Sequence, residues 1–174
     1  MTNVDFFTLA VFHPHQTNMH PTTLFVYGTL MFPELRTALA GRDFESEPAL
    51  AQQYRRSMIF GEDNIPYHYP ALVPDETHEV QGLLLHDIDQ ESFSKLSFFE
   101  EEKVLYDLRP IQVTCRDTTI STHAFYWIQS RPEKLEGVWD SEWFTKQHFT
   151  QYAEVIIPET LAQYRENYGE NYGR

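Results

Sequence analysis

The sequence predicts an α+β fold built on a strongly curved sheet or small barrel. Three features point there. Runs of β-forming residues recur along most of the chain, several of them hairpin-connected through short polar turns. Amphipathic helical stretches are interspersed among these runs. The 174 residues suit one domain, and a composition of 41% hydrophobic and 15% aromatic residues supplies a packed core.

Residues 1–22 read as an irregular N-terminal arm. Its apolar patch, Phe6 to Phe12, is short, follows Asp5 and lacks a basic start, so it reads as a poor signal peptide. His13-Pro14-His15 has no carboxylate or cysteine at ligand spacing, and no metal is expected there. The domain proper is expected over 23–167, with a frayed tail over 168–174. Leu24-Phe25-Val26 reads as a buried strand that runs into the turn Tyr27-Gly28-Thr29-Leu30. Gly28 is expected to adopt dihedrals closed to other residues and to let a ligand approach the main chain. If the turn leaves the N–H groups of Gly28, Thr29 and Leu30 unpaired, it forms an anion cradle; otherwise it is an ordinary turn after a core strand. Pro33 and Gly41 bracket a short helix.

Glu47 to Phe60 reads as a strand ending at Gly61. Pro66, Pro70 and Pro74 exclude helix and central-strand pairing, leaving an extended aromatic-rich edge or loop. Val80 to Ile88 is a strong strand, in which Gly82 marks a bulge or a close backbone approach. Asp89 caps a helix whose apolar face is Phe93, Leu96 and Phe99, and which runs into Glu100-Glu101-Glu102. Val104–Thr114 and Thr119–Ile128 form two strands joined at Arg116-Asp117-Thr118. Asp140 or Ser141 caps a helix carrying Trp143, Phe144, His148, Phe149 and Tyr152, and Pro158 can start another.

The formal net charge of -13 repels phosphate backbones, so no nucleic-acid partner is expected. No apolar run approaches membrane-span length, and no membrane association is expected. The single cysteine, Cys115, fits a reducing, cytoplasmic setting and a structural role. The charge and the Pro-rich loop are compatible with monomer or dimer.

No nucleophile elbow, Walker loop or dinucleotide fingerprint is present, which leaves cofactor-free acid–base chemistry if the chain is an enzyme. Three acids at a helix C-terminus oppose the helix dipole. Either they form a solvated patch, or one turns inward. Glu100, directly after Phe98-Phe99, is the one nearest the buried face. A carboxyl held among aromatics loses hydration, and its pKa rises toward neutrality, the range useful to a general acid or base.

Tyr27-Gly28-Thr29-Leu30, Tyr69-Pro70-Ala71-Leu72-Val73-Pro74, Val80-Gln81-Gly82-Leu83-Leu84, and Phe99-Glu100 followed by Tyr106 occur in the order typical of the γ-glutamylcyclotransferase-like superfamily. The chain resembles the branch of γ-glutamylaminecyclotransferases and avirulence-induced plant proteins, over roughly Thr23 to Tyr152. The resemblance implies a small mixed β-barrel with flanking helices and a pocket at one end. It also implies a cofactor-free and metal-free reaction in which the free α-amine of a small-molecule γ-glutamyl substrate attacks its own γ-carbonyl, giving 5-oxoproline and a free amine. Carried over, Glu100 is the general acid and base, and Tyr27, Gly28, Thr29 and Leu30 bind the substrate. Tyr126 is expected to line the same pocket, or else to serve packing. The sequence departs from the pattern at Leu108, where many relatives have Arg, and Glu102 rivals Glu100 as the acid. The alternative function is a non-catalytic binding or regulatory module using the same pocket for an amino-acid derivative.

Overall fold

β2 (Ser46–Phe60) and β3 (Ala71–Leu85) form a long antiparallel pair at the centre of the fold. The computed structural model containing them describes residues 19–169, so most of the expected arm, including His13 and His15, and most of the expected tail lie outside the described residues. β1 (Leu24–Val26) pairs with β3, and β4 (Tyr106–Cys115) with β5 (Thr118–Trp127), giving the order β1-β3-β2-β4-β5. β6 (Lys134–Glu136), which has no clear sequence signal, pairs with the end of β2 at Met58–Phe60. These ladders are all antiparallel. The sheet curls but does not close. β1 and β5 meet through side chains, with the Thr23 hydroxyl 2.8 Å from that of Thr122. The α+β class is as expected, and the barrel is an open, curled sheet.

Curling gives two apolar clusters. One, around Phe25, Ala51, Val80, Val113 and Ala124, fills one side of the sheet. The larger one, around Leu24, Val26, Leu39, Leu96, Trp127, Trp139 and Phe144, lies beneath the helices. Cys115 is buried in the first, and burial pushes its thiol pKa up. β4 and β5 are joined by Arg116 and Asp117, both at positive φ, the pair of left-handed residues that a tight two-residue hairpin requires.

β3 starts earlier than the prolines suggest, at Ala71, and Pro74 pairs opposite Tyr54. The reason is local. β1 covers β3 only at Leu83–Leu85, so at Pro74 β3 is an edge strand and the missing N–H is not needed. The β2–β3 register shifts between Gln52 and Tyr54 rather than at Gly82. Gly82 answers to close approach instead: a Cβ there would lie 2.4 Å from the Val26 carbonyl oxygen.

The first three helices start on the expected residues, whereas Pro158 lies within a continuing helix rather than starting one. α1 (Pro33–Ala40) ends at Gly41 with φ 82, the left-handed geometry glycine tolerates. α2 (Gln90–Phe99) is capped by Asp89, whose carboxylate accepts the Ser92 N–H at 2.8 Å. α3 (Ser141–Gln147) is capped by Asp140. α4 (Phe149–Gln151) continues through a π-helical turn, Tyr152–Ile156, into α5 (Ile157–Tyr168). Pro158 cannot donate to the carbonyl four residues back, and the widened turn just before it lets the helix continue. No helix among the described residues is long and apolar enough to cross a membrane.

Candidate active site

β1 delivers the chain into the 3-10 turn Thr29–Met31, closed by the Met31 N–H donating to the Gly28 carbonyl at 2.9 Å. Among the described residues, the N–H groups of Gly28, Thr29 and Leu30 donate to no backbone carbonyl, which leaves a short row of bare amides. The carbonyls of the same loop are held from behind. The Arg56 guanidinium donates to Tyr27 O at 2.9 Å, and Arg36, itself buried, donates to Leu30 O at 3.0 Å and Met31 O at 2.8 Å. With carbonyls fastened on one side, the free amides are left for the other.

Gly28 has φ −131 and ψ −134, outside the helical and extended regions. Pro70 adds a second constraint: a Cβ at Gly28 would sit 2.8 Å from the proline ring. That close packing makes one wall of a cavity bounded by residues 25–30, Tyr69, Pro70, Glu100, Tyr106 and Phe125. Its volume is about 20 Å³, room for about one water molecule.

Glu100 reaches this cavity because of how α2 ends. The Glu101 N–H donates to Phe98 O and the Glu102 N–H to Ser97 O, the paired bonds of a Schellman stop, with Glu101 at φ 48 where glycine is usual. Glu100 is therefore the last residue before the chain reverses. The three acids part company there: Glu101 is exposed, Glu102 accepts a hydrogen bond from the Ser97 hydroxyl outside the cavity, and Glu100 turns into it. The Glu100 carboxylate has no hydrogen-bond donor or ion-pair partner among the described residues. Although the residue keeps some contact with solvent, burial of its carboxyl raises the pKa from the ordinary 4.5 to about 8.

The tyrosines around it are not acids at neutral pH. Tyr27 donates to Phe125 O at 2.5 Å and Tyr106 to Pro70 O at 2.7 Å. Burial, reinforced by neighbouring charged groups including Glu100, drives both hydroxyls well above the ordinary tyrosine range. They brace the cavity as hydrogen-bond donors. Tyr69 packs on Tyr67, Tyr106 and Trp127, and its hydroxyl makes no hydrogen bond among the described residues. Glu100 is thus the cavity group poised to change charge near neutral pH.

The structure brings together Tyr27, Gly28, Thr29, Leu30 and Glu100, but does not bring Tyr126 to the cavity. Strand parity decides this. Phe125 and Trp127 face the helix-covered cluster, whereas Tyr126 faces the other, where its hydroxyl donates to that of Tyr54 at 3.0 Å and Arg109 lies over its ring. Phe125 takes the wall position instead. Sequence reasoning does not find the two bracing arginines; it connects the tyrosines of the Pro-rich segment, Tyr67 and Tyr69, with the pocket, and of these Tyr69 lines it. The Tyr69-Pro70 motif was legible as a resemblance, but its contact with Gly28 was not. No group of three or more metal-binding side chains occurs among the described residues.

Residues 24–145 match the family described as gamma-glutamyl cyclotransferase, AIG2-like. AIG2-like protein C of Arabidopsis thaliana is 31% identical over 128 residues, 72% of this chain and 69% of its own length. AIG2-like protein D of the same plant is 28% identical over 129 residues, 72% of this chain and 80% of its own length. Among solved structures, a solution structure from Arabidopsis thaliana superposes with a TM-score of 0.58 at 20% identity, covering 90% of this chain and 97% of that one. A structure titled gamma-glutamyl cyclotransferase gives a TM-score of 0.52 at 12% identity, covering 67% of this chain and 72% of that chain. At those identities the structural likeness concerns the fold.

Proposed function

The chain belongs to the gamma-glutamyl cyclotransferase, AIG2-like family, and on that premise we propose that it is a cyclotransferase releasing 5-oxoproline and a free amine from a γ-glutamyl amine or peptide. The observation that supports this most is the juxtaposition of one desolvated carboxyl, Glu100, with the bare amides of Gly28–Leu30 around one cavity.

The chemistry follows from those groups. Ionised Glu100 takes a proton from the substrate α-ammonium. The freed amine attacks the γ-carbonyl carbon of the same residue, closing a five-membered ring, and negative charge develops on the carbonyl oxygen. The loop amides donate to that oxygen or to the α-carboxylate, a preorganised stabilisation that needs no rearrangement at the moment of reaction. Glu100 returns the proton to the leaving nitrogen as the bond to it breaks; the ring nitrogen then gives its surplus proton to the re-ionised Glu100, which passes it to the released amine, so the products are 5-oxoproline and an ammonium ion. Because attack is intramolecular, positioning supplies much of the acceleration.

A cavity of about 20 Å³ does not hold a γ-glutamyl group, so a wall must move on binding. Of the three tyrosines in the wall, Tyr69 alone makes no hydrogen bond from its hydroxyl among the described residues, and it is the side chain that swings out. The test is direct. The protein is incubated with a panel of γ-glutamyl amines and dipeptides, and 5-oxoproline is measured. Glu100→Gln is expected to abolish release while the folded state persists, and Glu102→Gln to retain it. No turnover of any panel member, with 5-oxoproline still bound, would favour the binding-module alternative.

A further inference from the structure

The Tyr27 carbonyl and the Gly28 N–H belong to one peptide group, and no peptide bond among the described residues is cis. In a trans peptide the two point in opposite directions. Arg56 Nη1 donates to the carbonyl end of that group at 2.9 Å, so its N–H end is directed away from the guanidinium; Gly28 is part of the cavity wall. Arg36 differs. It holds the carbonyls of Leu30 and Met31, whose peptide partners are the N–H groups of Met31 and Phe32, and both of those close the turn onto Gly28 O and Thr29 O. Arg56 is the arginine that acts on a free amide.

Its charge is also less tightly paired. Arg36 pairs with Asp43 at 3.0 Å, whereas Arg56 makes no close ion pair among the described residues, and the Asp140 carboxylate acts on it from farther off. The Arg56 side chain instead spreads over the Trp139 ring at 5.1 Å, touches Met31 Sδ at 3.6 Å, and leaves its buried Nε without a hydrogen bond. A partly buried cation without a close ion pair is costly to stability, and this one donates to the carbonyl directly behind the Gly28 amide in a chain of net charge -13.

We propose that Arg56 is a positioning residue that makes the Gly28 end of the loop selective for the substrate's α-carboxylate, polarising the Tyr27–Gly28 peptide and adding a positive field behind it. The inference rests on the cyclotransferase reading above and names the ligand group that the loop recognises. A hydrogen bond to a carbonyl strengthens donation by the N–H of the same peptide, because polarisation passes along the chain of bonds. A full charge behind the amide favours an anionic acceptor over a neutral one of the same shape.

The experiment compares 5-oxoproline with its carboxamide, which has the same ring and no charge, as ligands of wild type, Arg56→Gln and Arg56→Lys, by calorimetry. Glutamine can still donate to Tyr27 O but has no charge, and lysine keeps the charge. Wild type is expected to prefer the carboxylate by about tenfold or more. Arg56→Gln should lose most of that preference, with the carboxamide affinity shifting by no more than about twofold, and Arg56→Lys should keep part of it. A purely structural role would weaken both ligands alike and leave the ratio intact; that result in Arg56→Gln overturns the role given to Arg56, as does an Arg56→Lys variant that loses the preference as fully as Arg56→Gln. A wild type that binds neither ligand and turns over no γ-glutamyl compound overturns the cyclotransferase reading itself. Turnover with an unchanged ratio overturns Arg56 alone.

Discussion

Replacing Glu100 by glutamine should make the protein more stable, and increasingly so as pH rises. Glutamine keeps the shape of the side chain and cannot ionise. In the unfolded chain the glutamate releases its proton near 4.5; in the folded protein it holds the proton to about 8. Between those values the folded state binds one proton more than the unfolded state, so wild-type stability falls with rising pH across this window. Below 4.5 both states are protonated and there is no penalty; above about 8 both are ionised and the penalty is complete. At about 1.36 kcal/mol per pH step, the folded state loses roughly 5 kcal/mol by pH 9, an upper bound because water entering the cavity relieves part of it. The variant should therefore match wild type within about 1 kcal/mol at pH 4.5 and exceed it by several kcal/mol at pH 9. Urea unfolding of both proteins at pH 4.5, 7 and 9 measures the difference. A gap that stays constant with pH would refute the buried-carboxyl reasoning, as would a glutamine variant that is the less stable protein at pH 9.

The other predictions concern the same site. Plots of kcat/KM against pH should rise with an apparent pKa near 8, since free-enzyme Glu100 must be ionised to accept the α-ammonium proton; a limb centred in the ordinary carboxylate range would contradict this. Gly28→Ala forces a Cβ to within 2.8 Å of Pro70. It should cost about 1–3 kcal/mol in thermal or urea unfolding and reduce kcat/KM, because relief requires the loop and Pro70 to separate. Tyr126→Phe removes the hydrogen bond to Tyr54 on the far face of β5. It should cost about 1 kcal/mol of stability with kcat unchanged; a large fall in kcat would return Tyr126 to the site.

Much of this was written locally in the chain. Asp89, Asp140, Pro33 and Gly41 mark helix ends because each satisfies or terminates a helix within a few residues of itself. The Tyr27–Leu30 turn and Glu100 were legible for a similar reason: a strand running into glycine, and an acid directly after two phenylalanines, are contrasts between neighbours. What was missed depends on partners far along the chain. The Tyr126 assignment failed to find its face because Ala124 to Trp127 is buried on both faces, which erases the alternation that would show parity. The role of Arg56 depends on Tyr27, 29 residues away, and nothing in Arg55-Arg56 says which of the two turns inward. Pro74 lies at an edge, as the prolines suggest, but that it pairs with β2 there is set by where the short β1 stops, not by its neighbours. The glycine at 28 is legible in the sequence, but its close neighbour Pro70 is not, because that contact spans 42 positions.

A structure of the protein with 5-oxoproline tests the account at its centre. The account predicts the ligand between the residue 28–30 amides and Glu100, with Tyr69 displaced, an oxygen of the ligand within hydrogen-bond distance of those amides and the ring nitrogen within reach of the Glu100 carboxyl. The ligand bound elsewhere, for example in the polar cleft between β2 and β4 lined by Gln52, Gln112 and Thr114, with Glu100 untouched, would contradict it.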